Sequence, residues 1–140
     1  CLVGSEMCII DRIGTVSFSD AWREETIRND MKGGHSCYFI AKLAKKVIGY
    51  GCFWFIADEA QLMNIGVLPE YRRMGAAEKI LKQGLEEAAE RHMEVIFLEV
   101  RVSNLPAQSL YRKYNFQTVS VRQDVYELPR ENGYIMSRKV

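Results

Sequence analysis

The 140-residue sequence has almost no net charge, with 19 basic and 18 acidic side chains leaving a formal +1. Such a balance gives no field to draw the chain onto nucleic acid or anionic lipid, and no basic stretch is interleaved with aromatics. Metal-ligating side chains are sparse. Cys1, Cys8, Cys37 and Cys52 form no C-x-x-C pair, and His35 and His92 stand at no ligand spacing from them, which argues against structural zinc or any other metal site. Cys37 and Cys52 lie inside apolar runs, where reduced, buried thiols are the simple reading and suit a cytoplasmic compartment. No apolar run reaches the roughly 18 residues a membrane span needs. Also missing are a charged-then-apolar signal segment, a G-x-x-x-x-G-K-[ST] loop, a G-x-G-x-x-G turn, repeats and low complexity. The expectation is a soluble intracellular protein with neither membrane nor nucleic acid as partner.

What is present is the balance of one globular domain, 48% apolar and 26% charged, on a chain long enough to bury a core without staples. Residues 1–13 begin without methionine and read as an atypical, non-native leader, with 14–140 as the single domain. Ser19 or Asp20 can cap a short helix carrying Trp22, Ile27 and Met31, with Glu24 and Glu25 in its first turn, ending near Gly33-Gly34. Cys37–Leu43 and Val47–Ile56 are β-rich runs around a polar Ala44-Lys45-Lys46 turn, which predicts a hairpin. The lysines there are most simply solvated. Ala60–Val67 is a third strand, stopped by Leu68-Pro69.

From 76 to 91, Ala77, Ile80, Leu81, Leu85, Ala88 and Ala89 recur at helical spacing. Val95–Val100 reads as a central strand covered on both faces, Glu99 being its one charge. Asn104 opens a second helix with Ala107, Leu110, Tyr111 and Tyr114 on one stripe, and Asn115 ends it in a left-handed conformation. Two strands close the chain, around Phe116–Tyr126 and Tyr134–Lys139, joined through Pro129–Gly133. An antiparallel meander feeding a βαβ crossover gives a mixed α/β sheet with helices on it.

Chemistry concentrates in three places. After the third strand, Arg72-Arg73-Met74-Gly75-Ala76-Ala77 opens a helix with small residues. Its first amides lack internal acceptors and carry the positive end of the helix dipole, so the turn can bind an anion; equally, Gly75 can simply relax the turn while both arginines are solvated. Glu99 must be paired, protonated or used, and Arg101 is its plain partner. Tyr111 is core by its stripe.

Arg72-x-x-Gly75-x-Ala77 resembles the [QR]-x-x-G-x-[GA] pyrophosphate loop of the GCN5-related N-acetyltransferases, the GNAT family. Leu98–Asn104 followed by Ala107 and Leu110-Tyr111 resembles the same family's strand end and N-x-x-A-x-x-L-Y helix. With Phe18-Ser19-Asp20-Ala21-Trp22, the likeness is to the branch that acetylates the N-terminal alanine of a small-subunit ribosomal protein.

The resemblance implies the GNAT fold, α/β (α+β), with a mostly antiparallel sheet, a splay between the strands ending near Val67 and Val100, and a first strand missing or replaced. It implies acetyl-CoA as co-substrate, with Arg72, Arg73, Met74, Gly75, Ala76, Ala77 and Glu78 at the pyrophosphate and Asn104 touching it while capping its helix. Ile65, Gly66 and Val67 would pair with the pantetheine arm. Glu99 becomes the proton acceptor and Tyr111 the acid for the departing thiolate; Tyr126 and Trp22 line the acceptor slot or merely pack. No thiol sits near these motifs, so direct transfer to a protein N-terminal α-amine is expected. The alternatives are acetylation of lysine or a small amine, and a non-catalytic acyl-CoA-binding module. Glu78 stands where the family commonly has a basic residue; Ala21, Asn115 and Asn132-Gly133 also depart from its pattern.

Overall fold

The hairpin predicted from the polar turn is present. In the computed structural model, which describes residues 29–30, 32–127 and 130–140, β1 (Ser36–Leu43) and β2 (Lys46–Ile56) run antiparallel around Ala44 in positive φ of 56°. Residues 29, 30 and 32 are helical and are followed by Gly33-Gly34, where the helix was expected to end, with Gly34 at φ 77°. The leader, the missing first strand, the Ser19 and Asp20 caps, Phe18–Trp22, Met31 and Pro129 lie outside the described residues.

β3 (Glu59–Val67) continues the meander, and α1 (Ala76–Glu90) crosses to β4 (Val95–Arg101), which runs parallel to β3. α2 (Leu105–Lys113) follows, then the antiparallel pair β5 (Gln117–Glu127) and β6 (Arg130–Lys139). Among the described residues six strands lie in the order β1-β2-β3-β4-β6-β5, so the sheet is mixed and mostly antiparallel, with β3 and β4 as its parallel pair there. Asn104 caps α2 by accepting from the Ala107 amide at 3.2 Å, and Asn115 leaves it at φ 71°. No helix among the described residues is long and apolar enough to cross a membrane.

One core joins Phe53 of β2, Ile80 and Leu81 of α1, Ile96, Leu98 and Val100 of β4, Tyr111 of α2, Phe116 and Met136. Burying these side chains supplies the main driving force for the fold. Both helices reach it from the Ile96 side of β4. The other side of that strand, Val95, Phe97, Glu99 and Arg101, is half-buried, which corrects the expectation of a strand covered on both faces. A near-continuous apolar run cannot tell the two cases apart. β6 also starts earlier than expected, at Arg130. Arg130, Glu131 and Gly133 hold ladder positions opposite Glu127, Tyr126 and Arg122, so long-range register overrides the turn preference of Asn132-Gly133.

The site depends on where β3 and β4 part. Their ladder runs from Glu59–Val95 to Leu62–Leu98 and ends there. At the next residue, Met63, β3 carries a bulge: Phe53 of β2 faces Leu62, but its neighbour Cys52 faces Asn64. An extra residue bends the strand and increases its twist. Beyond it Ile65, Gly66 and Val67 stay with β2, while Glu99, Val100 and Arg101 stay with β6. The expected splay therefore opens between the ends of the two parallel strands.

Candidate active site

At the end of β3, Pro69 stops the ladder and Pro69–Tyr71 form one 3₁₀ turn. Arg72 Nε then donates to the Val67 carbonyl at 3.3 Å, bracing the strand end, so this guanidinium is not simply solvated. Two left-handed residues follow, Arg73 at φ 66° and Gly75 at φ 81°. Gly75 caps α1 with no side chain, and the helix's first internal bond is Lys79 N to Gly75 O, 3.0 Å. The amides of Ala76, Ala77 and Glu78 thus precede the helical ladder, at the positive end of the dipole. A Cβ at Gly75 would meet nothing within 4 Å, so the approach to these amides is uncrowded. The turn fits a diphosphate.

Glu78 would oppose that anion if it faced the amides. Instead its Oε1 accepts from Lys113 Nζ at 2.7 Å and from Tyr114 Oη at 2.6 Å, both at the end of α2. The Lys113 bond first and the Tyr114 bond second hold its carboxyl below the usual range. The family departure at this position is neutralised by its neighbours.

Across the splay, Glu99 occupies the half-buried face of β4. Its partner is Arg122, with Nη1 3.1 Å from Oε2, rather than the expected Arg101. The sheet order explains the exchange. Gly133 of β6 stands opposite both Arg101 of β4 and Arg122 of β5, so the β5 arginine reaches Glu99 past a residue without a side chain. A Cβ at Gly133 would come within 2.9 Å of Val125, 3.0 Å of Tyr126 and 3.2 Å of Glu99. Arg101 is taken by Glu131, 3.3 Å from Nη1, and lies 4.2 Å over the Tyr126 ring. Glu131 also accepts from the Ser103 amide at 2.6 Å, which together with Arg101 keeps it ionised below the usual range. Gln108, 2% exposed, donates to the carbonyls of Arg101 (3.0 Å) and Val102 (2.9 Å) and fixes the same loop.

Tyr111 lies on the other side of the sheet, in the core with Ile96, Leu98 and Val100, its ring edge-on to Phe116. Burial, with a smaller contribution from nearby Tyr126, pushes its phenol well above the ordinary value, so it stays a proton donor. Glu99 and Tyr111 therefore lie on opposite faces of the sheet, and the α1 turn follows from the end of β3. Cys52 is fully buried and burial raises its thiol, which makes it a poor nucleophile. Arg122, Glu131 and Gln108 carry no local sequence signal. Gly133 does, because a lone glycine inside a strand pattern marks close approach.

Residues 7–116 match the family model for the acetyltransferase (GNAT) family. The ribosomal protein bS18-alanine N-acetyltransferase of Escherichia coli K12 is 30% identical over 118 residues, covering 83% of this chain and 79% of that protein. An N-alpha-acetyltransferase of Saccharolobus solfataricus is 36% identical over 114 residues, 72% of this chain and 68% of that one. The crystal structure of the ribosomal-protein-S18-alanine N-acetyltransferase from Escherichia coli superposes with a TM-score of 0.90 at 27% identity, over 99% of this chain and 90% of that one. A glycine-capped anion turn, a bulge-opened pair of parallel strands and a family match over most of the sequence lead to one conclusion: the chain belongs to the GNAT acetyltransferase family.

Proposed function

We propose that the chain transfers acetyl from acetyl-CoA directly to the α-amine at a protein N-terminus, an N-terminal alanine of a small-subunit ribosomal protein being the acceptor favoured by its bS18-modifying relatives. The observation that carries this reading is the splay itself, with a glycine-capped helix start following one bank and the Glu99 carboxylate on the other. The free Cys37 and Cys52 suit a cytoplasmic setting.

In this reading the amides of Arg73, Met74, Gly75, Ala76, Ala77 and Glu78 hold the pyrophosphate, with Arg72 bracing the turn and Asn104 contacting the same molecule. Ile65, Gly66 and Val67 offer backbone groups to the pantetheine arm as a neighbouring strand would. Acetyl-CoA supplies an activated acyl carbon and a leaving thiol. Glu99 takes the proton of the incoming ammonium, directly or through one water, so that the neutral nitrogen attacks the carbonyl carbon. Tyr111 gives its phenolic proton to the sulfur as the carbon–sulfur bond breaks, and the nitrogen sheds its surplus proton as the amide forms, which restores the phenol through solvent. Tyr126, held under Arg101, walls the acceptor slot beside Glu99.

An α-amine titrates at about 7.7–8.0 and lysine at about 10.4, so one modest base suffices for the former. With an alanine-first peptide, kcat/KM is expected to rise with pH and level off near about 8. Because burial raises the Tyr111 phenol, loss of its proton should not turn the profile downward below the ordinary tyrosine value of about 10. The test is transfer of labelled acetyl from acetyl-CoA to a panel of N-terminal peptides, lysine peptides and small amines. No transfer to any α-amine, or a profile still climbing well past pH 8 on a lysine acceptor, would sink this reading; CoA binding without turnover would leave a binding module.

A further inference from the structure

Side chains alternate along a strand, so Asn64, three residues after Gln61, belongs on the opposite face in regular β structure. The bulge at Met63 cancels one step. Gln61 pairs with Trp54 and Asn64 with Cys52, and Trp54 and Cys52 are two apart on β2, so all four side chains share a face. Gln61 also pairs with Phe97 on β4, two residues before Glu99. Asn64 is thereby turned onto the face of Glu99, on the opposite bank of the splay. Its Nδ2 is buried and has no hydrogen-bond partner among the described residues.

A buried amide donor left unpaired lowers the stability of the ligand-free protein, and polar groups in interiors are otherwise almost always satisfied. The donor also sits two residues past Leu62, the last residue of β3 that pairs with β4. We infer that Asn64 is a substrate-binding residue whose Nδ2 donates to a carbonyl oxygen delivered into the splay, opposite Glu99. This rests on the acetyl-transfer reading above. Two carbonyls can arrive there, that of the thioester and the first peptide carbonyl of the acceptor, and the kinetics separate them.

The experiment compares Asn64→Leu, of similar shape without polar atoms, and Asn64→Asp, without the donor, with the wild-type chain. Ligand-free Asn64→Leu should melt at or above the wild-type temperature, because the orphan donor is gone. Its kcat/KM for an alanine-first peptide should fall about tenfold, and Asn64→Asp should fall at least as far. A rise confined to acceptor KM assigns the peptide carbonyl; equal losses in kcat and kcat/KM assign the thioester carbonyl, where charge develops. Unchanged kinetics in Asn64→Leu overturn the inference, as does a lowered melting temperature with activity tracking the folded fraction. A wild-type chain inert toward every amine removes the acetyl-transfer reading and this inference together, whereas an active wild type with indifferent variants removes this inference alone.

Discussion

The two banks of the splay are made of different material. On the β3 side the groups that border the gap are backbone amides and strand edge, shaped by Gly75 at φ 81°, Arg73 at φ 66° and a bulge at Met63. On the β4 side they are side chains in a chain of contacts, Glu99 with Arg122 and Glu131 with Arg101 over Tyr126. A backbone cradle is indifferent to most side chains around it and suits a ligand whose anionic part never changes. A side-chain wall can be altered one residue at a time, which suits the half of a family site that must tell acceptors apart.

Glu99 carries the largest expected effect. Glu99→Gln should lower kcat/KM by about 10² to 10⁴ at pH 7, the usual worth of a positioned general base. Calorimetric CoA affinity should stay at the wild-type value; if it fell in step with activity, the two banks would not be separate. Tyr111→Phe comes next, with kcat down by about 10² and both KM values steady, since the ring still packs on Phe116 and only the acid is lost. An unaltered rate there would leave Tyr111 as core alone.

Gly75→Ala sharpens the other side. Nothing crowds its Cβ, so the whole penalty is the left-handed backbone, about 1–2 kcal/mol, and CoA binding should weaken by about tenfold with acceptor KM unmoved. Gly133→Ala should do the reverse and more weakly. Its Cβ presses on Val125, Tyr126 and Glu99, so acceptor KM should rise by roughly threefold while CoA titrations overlay the wild-type curve. Should Gly133→Ala disturb CoA binding as much as Gly75→Ala does, the division of labour fails.

The local framework, the first bank included, was largely legible in the sequence. The hairpin turn, the stop at Pro69, the Gly75 start of α1, the Asn104 cap and the left-handed Asn115 are all decided within a few residues of themselves. Even the bulge left a trace, because Leu62 and Met63 are adjacent apolar residues where alternation would place a polar one. The second bank was not legible. Arg101 is two positions from Glu99 and was the natural partner on spacing, yet Glu131, thirty residues away, captures it and Arg122 takes its place. The start of β6 has no local signal for the same reason, since its pairing with β5 outweighs the turn preference of Asn132-Gly133.

The order of elements from β1 onward, the mixed sheet and the glycine start of α1 follow from the sequence alone, because propensity, capping and the sign of φ act over one or two turns of chain. Only the tertiary structure decided which arginine meets Glu99, that Glu78 is neutralised by α2, and that Asn64 shares a face with the carboxylate. Those depend on strand register across β4, β6 and β5 and on one inserted residue in β3, and register is set by the sum of pairings over the whole sheet rather than by any residue within it.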